Sequence, residues 1–88
     1  MIEIKVMFDI VRKIITKWDP IELMSFSPPD EYDFECQSII EEYEKTTEKL
    51  SKIIYSVFRN SFGEEFNEDF SKCEDIAVEI EKEIQKNI

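Results

Sequence analysis

The sequence predicts an all-α protein, a compact four-helix bundle-like single domain over residues 1–88 with a short helical turn in its first connector. Large apolar residues recur at three- and four-residue steps along four stretches, as they do on the buried face of a helix. The four predicted stripes are Ile4, Met7, Phe8, Val11, Ile14, Ile15 and Trp18; Tyr32, Cys36, Ile39, Ile40 and Tyr43; Leu50, Ile53, Ile54, Val57 and Phe58; and Phe70, Cys73, Ile76, Ala77, Ile80 and Ile84. Only one glycine and three prolines interrupt the 88 residues, too few for the tight turns of a sheet protein. The chain is 42% hydrophobic, which is enough to build a core at this length.

The first predicted helix runs from about Ile2 to Lys17 and is followed by an unusual connector. Asp19 before Pro20 has the pattern of a helix N-cap followed by proline at the first helical position. This pattern predicts a short helical turn over Pro20–Met24. The consecutive prolines that follow favour extended backbone, so Ser25–Pro29 is predicted to be an irregular link.

Three further helices are predicted after the connector. The second begins near Asp30, with acidic residues in its first turn, and ends near Lys45. The third covers about Glu48 to Ser61, and Gly63 is expected to end it in a left-handed conformation. Asn67 is expected to cap the fourth, which frays before the end of the chain.

The net charge of −10 is unevenly distributed. Residues 19–45 carry −8 and residues 64–88 carry −6, whereas residues 1–18 and 46–63 each carry +2. An acidic chain is a poor ligand for nucleic acid or for an anionic membrane, so we expect neither as a partner. Solvation of helix faces is the simplest explanation of the charge, and an acidic surface that meets a basic protein is the alternative.

Residue types needed for several chemistries are missing. The chain has no histidine, which excludes a histidine-based zinc site and imidazole-dependent catalysis. Cys36 and Cys73 fall on apolar faces and are expected to be buried free thiols, although a disulfide between them stays open. The sequence therefore predicts no metal and no cofactor. The N-terminal stretch lacks a signal-peptide cleavage pattern, and no apolar run reaches membrane-spanning length, so we expect a cytoplasmic protein.

Three short motifs resemble those of a known family. They are WDPI at residues 18–21, PDEYD at residues 29–33 with Glu35 after it, and SFGE at residues 61–64. In this order they are similar to an uncharacterised, domain-of-unknown-function family of small bacterial all-helical proteins. The resemblance implies a four-helix fold and no known activity. Similar WDP signatures occur among small proteins thought to protect bacteria from toxins delivered by neighbouring cells.

The connector is the predicted partner-binding region. Aromatic side chains beside carboxylates are typical of a protein interface, although the same residues can also serve only to fix the connector onto the bundle. The candidate residues are Trp18, Asp19, Phe26, Asp30, Glu31, Tyr32, Asp33 and Glu35.

Three functions are compatible with these features. The first is a non-enzymatic interaction module, in its most concrete form an immunity- or antitoxin-like protein that covers the basic site of a toxin. The second is a metal-dependent nucleotide hydrolase that uses the carboxylate pairs Glu41/Glu44 and Glu65/Glu68. The third is a structural or regulatory homodimer, whose contact would use apolar residues that lie off the predicted stripes or at their edges. These are Met7, Phe26, Phe34 and Phe62.

Overall fold

Four α-helices make up most of the described structure, and the all-α prediction is confirmed. A computed structural model describes residues 3–20 and 32–87. Its helices are α1 (Ile4–Trp18), α2 (Asp33–Lys45), α3 (Leu50–Phe62) and α4 (Phe70–Lys86), with a 3-10 helix at Gly63–Glu65. The predicted link at Ser25–Pro29 lies outside the described residues, as does the predicted helical turn beyond Pro20.

The helices form a ring in which each one packs against two neighbours. α1 packs on α2 and α4, and α3 packs on the same two helices. Trp18, Tyr32 and Phe66 all contact the ring of Phe58. The end of α1, the start of α2, the end of α3 and the start of α4 therefore meet at one end of the bundle, and successive helices are antiparallel. We call this the connector end. The two acidic helices, α2 and α4, therefore occupy opposite corners of the ring, although the side chains of Tyr43 and Glu81 still meet across it at 3.5 Å.

The breaks between helices are fixed by backbone geometry as well as by packing. Gly63 ends α3 as predicted and has a positive φ of 57°, where a Cβ would be strained, but its ψ of −129° is not that of the expected left-handed conformation. The expectation that Asn67 caps α4 is wrong, because α4 begins at Phe70 after Asp69. Phe66 inserts fully into the core, and the Arg59 side chain donates a 2.9 Å hydrogen bond to its carbonyl oxygen. Because Phe66 is held in the core, residues 66–69 lie outside any helix, and α4 begins later than the sequence suggests.

The buried faces of the helices agree closely with the predicted apolar stripes. Each helix contributes fully buried residues, among them Ile15, Cys36, Ile54 and Ile80. Three stripe assignments need correction. Ile4 and Phe70, at the first positions of α1 and α4, are exposed because the first turn of each helix projects past the core. Met7, expected as leftover apolar surface, is buried instead.

A cluster of aromatic rings fills the connector end. Phe58 of α3 is completely buried at its centre and stacks on Phe62 and Phe66, with ring centroids 5.8 and 5.4 Å apart. Trp18 and Tyr32 meet the same ring edge-on, at 5.7 and 5.9 Å. We call Trp18, Tyr32, Phe58, Phe62 and Phe66 the aromatic cluster. It joins α1, the start of α2, α3 and the segment that leads into α4.

None of the helices in the described ranges combines the length and the apolar character that a membrane span requires.

The aromatic cluster predicts a large stability cost for truncating its central ring. Phe58→Ala should lower the free energy of unfolding by about 3–5 kcal/mol, because it removes a buried ring and leaves a cavity. The matched control is Phe34→Ala, which truncates a ring that is 75% exposed and should change stability by no more than about 0.5 kcal/mol. Urea unfolding followed by circular dichroism measures both. Similar losses for the two variants would contradict the assigned core.

Candidate functional site

The base of the connector is closed by a hydrogen bond between its two flanks. Asp19 follows the last residue of α1 and adopts a left-handed conformation, with φ 49° and ψ 61°. Its backbone N–H donates to the Ile15 carbonyl at 2.9 Å, so Asp19 ends α1, whereas the sequence pattern suggested that it begins the next turn. The Tyr32 hydroxyl donates to Asp19 Oδ1 at 2.7 Å across 13 positions of the chain. Aspartate tolerates this backbone conformation better than most residues do.

Trp18 anchors the base of the connector to the bundle. Its indole lies edge-on to Phe58 and to Phe66, with centroid distances of 5.7 and 6.0 Å. The Nε1 atom is buried and has no hydrogen-bond partner among the described residues. Most of the indole's contacts are therefore apolar, and the side chain is partly rather than fully exposed.

Two carboxylates lie in the first turn of α2, where the helix dipole favours negative charge. Asp33 Oδ1 lies 3.0 Å from Arg12 Nε of α1, in a partly exposed ion pair that joins the two helices. Glu35 is only 7% exposed, and its Oε1 atom has no hydrogen-bond partner within the described chain. A buried carboxylate oxygen in this state costs free energy, which is the usual mark of a group kept for a purpose other than stability.

The structure brings together the predicted site residues that it describes. Trp18, Asp19 and Tyr32 meet at the connector end, and Asp33 and Glu35 occupy the adjoining turn of α2. Tyr32 and Glu35 are buried, so they support a surface more than they form one. Phe26, Asp30 and Glu31 lie outside the described residues. Participation of this region in partner binding stays a prediction.

The carboxylate pairs considered for metal-dependent hydrolysis are not brought together. Glu41 and Glu44 lie in the second half of α2, away from the connector end, whereas Glu65 and Glu68 lie near that end. Across residues 3–20 and 32–87, no group of three or more metal-ligating side chains is arranged to hold an ion.

A surface groove between α2 and α3 is the feature that sequence reasoning missed. It has a volume of about 830 Å³ and opens to solvent, with buried Ile53 and Val57 of α3 in its floor. Phe34 of α2 and Phe70 of α4 line it near the connector end and are 75% and 39% exposed. We call it the α2–α3 groove. The signal in the sequence was Phe34, an aromatic residue outside every predicted stripe, but its pairing with Phe70 requires the fold.

The far end of the α2–α3 groove is polar and acidic. Glu42 of α2 and Glu48 of the following loop line it, together with Thr46. Lys52 is the basic residue of the lining, and its Nζ lies 4.0 Å from Glu48 Oε2 in an exposed, loose ion pair. The groove therefore changes from aromatic to acidic along its length.

Both cysteines are free and buried, as predicted. Burial raises the pKa of the Cys36 thiol from its ordinary value of 9.0 to about 12, and the nearby charges of Asp33 and Glu35 raise it further than Arg12 lowers it. Burial also raises the pKa of Cys73 to about 11. A thiol in such surroundings stays protonated and is a poor nucleophile.

Comparison with known proteins identifies the family. The family model described as Domain of unknown function (DUF1871) matches residues 10–86, so the chain belongs to this family and the resemblance to an uncharacterised family is confirmed. No curated protein and no solved structure matches the chain. The family description names no activity, so a functional proposal must rest on this chain's own geometry.

The hydrogen bond from Tyr32 to Asp19 predicts that removing the hydroxyl costs more stability at Tyr32 than at Tyr43. Tyr32→Phe should lower the free energy of unfolding by about 1.5–3 kcal/mol, since the lost bond is buried in part and has a carboxylate acceptor. Tyr43→Phe is the matched control, because its exposed hydroxyl lies 3.5 Å from Glu81 Oε2, and its effect should stay within about 0.5 kcal/mol. Denaturant unfolding compares them, and an unchanged stability in Tyr32→Phe would contradict the closure.

The buried thiols predict slow modification of the folded protein. At about pH 8, Cys36 should react with iodoacetamide on the order of a thousandfold more slowly than an exposed thiol, because its pKa lies about three units higher. Gln37→Cys supplies an exposed thiol on α2 as the internal control. Mass spectrometry of timed samples follows the reaction, and comparable rates for the two thiols would show that Cys36 is accessible. The same shift makes stability depend on pH. Because the pKa of the Cys36 thiol is higher in the folded protein than in the unfolded chain, raising the pH above about 9.0 deprotonates the unfolded chain first and favours unfolding.

Proposed function

We propose that this member of the DUF1871 family is a non-enzymatic, acidic protein-interaction module that binds a basic protein partner. The observation that carries the proposal is Phe34, a phenylalanine that is 75% exposed and stands beside an acidic rim on a well-packed bundle. An exposed aromatic side chain stabilises an interface when a partner covers it, whereas it contributes little to folding.

The distribution of charge supports α2 as the side that meets the partner. The helix carries a net charge of −4, against −2 for α4 at the opposite corner. Glu41, Glu42 and Glu44 are exposed on it, and Glu42 also lines the groove that contains Phe34. Apolar anchors next to carboxylates favour a partner whose contact surface is both apolar and basic.

The most concrete form of this proposal is an immunity- or antitoxin-like protein in the bacterial cytoplasm. Such a protein would cover the basic site of a nuclease or another toxin, and electrostatic attraction would speed its association. The candidate residues of the connector base, Trp18 and Asp19 among them, would lie next to the bound partner at the same end of the bundle as Phe34.

Self-association is the competing explanation of the exposed apolar residues. Each copy carries a net charge of −10, so two copies repel at long range. The repulsion does not act against a basic partner, which is why we favour the latter.

Affinity capture from the source cell tests the proposal. The tagged protein should retain a basic partner at about 0.05 M salt and release most of it at about 1 M, where charge interactions are screened beyond roughly 3 Å. Mass spectrometry identifies the partner, and light scattering of the purified protein checks for a homodimer.

Two matched variants serve as controls. The double substitution Glu41→Gln with Glu42→Gln on α2 should reduce capture, whereas Glu74→Gln with Asp75→Asn on α4 removes the same charge from another exposed surface and should retain it. Absence of any partner above background at low salt would count against the proposal, and an enriched partner that is acidic would contradict its electrostatic basis.

A further inference from the structure

The α2–α3 groove has the dimensions of a binding site for a short helix. Its lining on α2 extends from Phe34 to Thr46, a length of about 18 Å at 1.5 Å per residue, which corresponds to three helical turns. The volume of about 830 Å³ gives room for several side chains. Ser56 and Asn60, one turn apart, border the groove on α3 and are small enough to let another backbone approach closely.

The polarity of the groove fixes the kind of helix that fits. Phe34 and Phe70 lie at the connector end, where an apolar side chain of the partner would be covered by both rings. Glu42 follows Phe34 by eight residues, so its carboxylate lies about 12 Å further along α2. The Glu42 carboxylate makes no ion pair within the described residues. A cation placed about two turns from an apolar anchor therefore meets an available carboxylate.

The same side of α2 carries a second carboxylate, which is buried. Glu35 precedes Ser38 and Glu42 by three and seven residues, a spacing that places all three on one side of the helix. Its Oε1 atom accepts no hydrogen bond within the described chain. Glu35 is only 7% exposed and does not line the groove, so Glu42 is the carboxylate of α2 that a positively charged occupant would meet there.

We infer that the α2–α3 groove is the docking site for a basic amphipathic helix of the partner protein. This inference rests on the proposed interaction function and names the partner element. An apolar residue of that helix inserts between Phe34 and Phe70, and a lysine or arginine seven or eight residues from it pairs with Glu42. Helices that place one apolar face in such a groove are a common mode of protein recognition.

A second copy of this chain is a poorer occupant. The exposed large apolar residues outside the groove, within the described ranges, are Ile4 and Val78, which lie on different helices. The copy would also bring a net charge of −10 to an acidic rim.

Site-specific photo-crosslinking in the source cell tests the inference. A photoreactive amino acid at Ser56 reports on the groove, and the same residue at Val78, on the exposed face of α4, is the control position. The expected result is a crosslink from Ser56, absent from Val78, to a partner segment with helical apolar periodicity and a net positive charge. That segment, made as a synthetic peptide, should bind the wild-type protein and gain helical signal on binding.

Substitutions in the groove then test its aromatic end and its acidic end independently. Phe34→Ala should weaken binding of the peptide roughly tenfold or more, because it removes an aromatic anchor. Val78→Ala truncates another exposed apolar residue and should leave binding unchanged. Glu42→Lys should weaken binding about tenfold at low salt and much less at high salt, since the loss is electrostatic.

The possible outcomes separate this inference from the function on which it rests. A partner captured by the protein but crosslinked only from positions outside the groove overturns the inference and leaves the interaction function standing. A Ser56 crosslink to a second copy, or to a segment that is acidic or lacks helical periodicity, also overturns it. Failure to capture any partner would overturn both the docking inference and the interaction function.

Discussion

The buried ring of Phe58 is the contact on which the fold depends most. It touches Trp18 of α1, Tyr32 before α2, and Phe66 in the segment before α4, so one α3 side chain is in contact with all the other parts of the bundle at the connector end. Its contact with Tyr32 also positions the hydroxyl that closes the connector onto Asp19. A short domain with little core volume needs such shared contacts, because every buried ring must stabilise several elements at once.

Much of this arrangement could be predicted from the sequence, because the apolar period of each helix follows from its own residues. The α3 stripe of Leu50, Ile53, Ile54, Val57 and Phe58 is buried as predicted. The features that could not be predicted depend on contacts between elements that are far apart in the sequence. Asp19 has a sequence suited to starting a helix, but its αL backbone ends α1 by donating to Ile15, and its side chain accepts a hydrogen bond from Tyr32, 13 positions away. The turn that it was predicted to start lies outside the described residues. The α2–α3 groove joins residues from three helices, and no single stretch of sequence shows that they meet.

The order of charges around the ring follows from the connectivity. The helices carry net charges of +3, −4, +2 and −2 in chain order, and each packs against its neighbours in sequence, with α1 against α4. Each acidic helix therefore lies between two basic ones, and contacts such as Arg12 with Asp33 join them. Such exposed pairs add little stability individually, but the alternation lowers repulsion in a chain of high net charge.

Phe34 is 75% exposed, and the needs of the fold do not explain why an aromatic residue stands there. It follows Asp33, which pairs with α1, and precedes Glu35 and Cys36, which are buried, so its neighbours are all used by the bundle. Phe34 itself points to solvent, where a polar residue would serve the helix equally well and would improve solubility. Phe70 is the second aromatic residue at the same end of the same groove; it packs edge-on to Tyr55 at 5.7 Å and is still 39% exposed. Two exposed rings share one groove with Glu42, whose carboxylate has no ion-pair partner in the described chain. A contact outside this chain explains them better than the needs of its fold do.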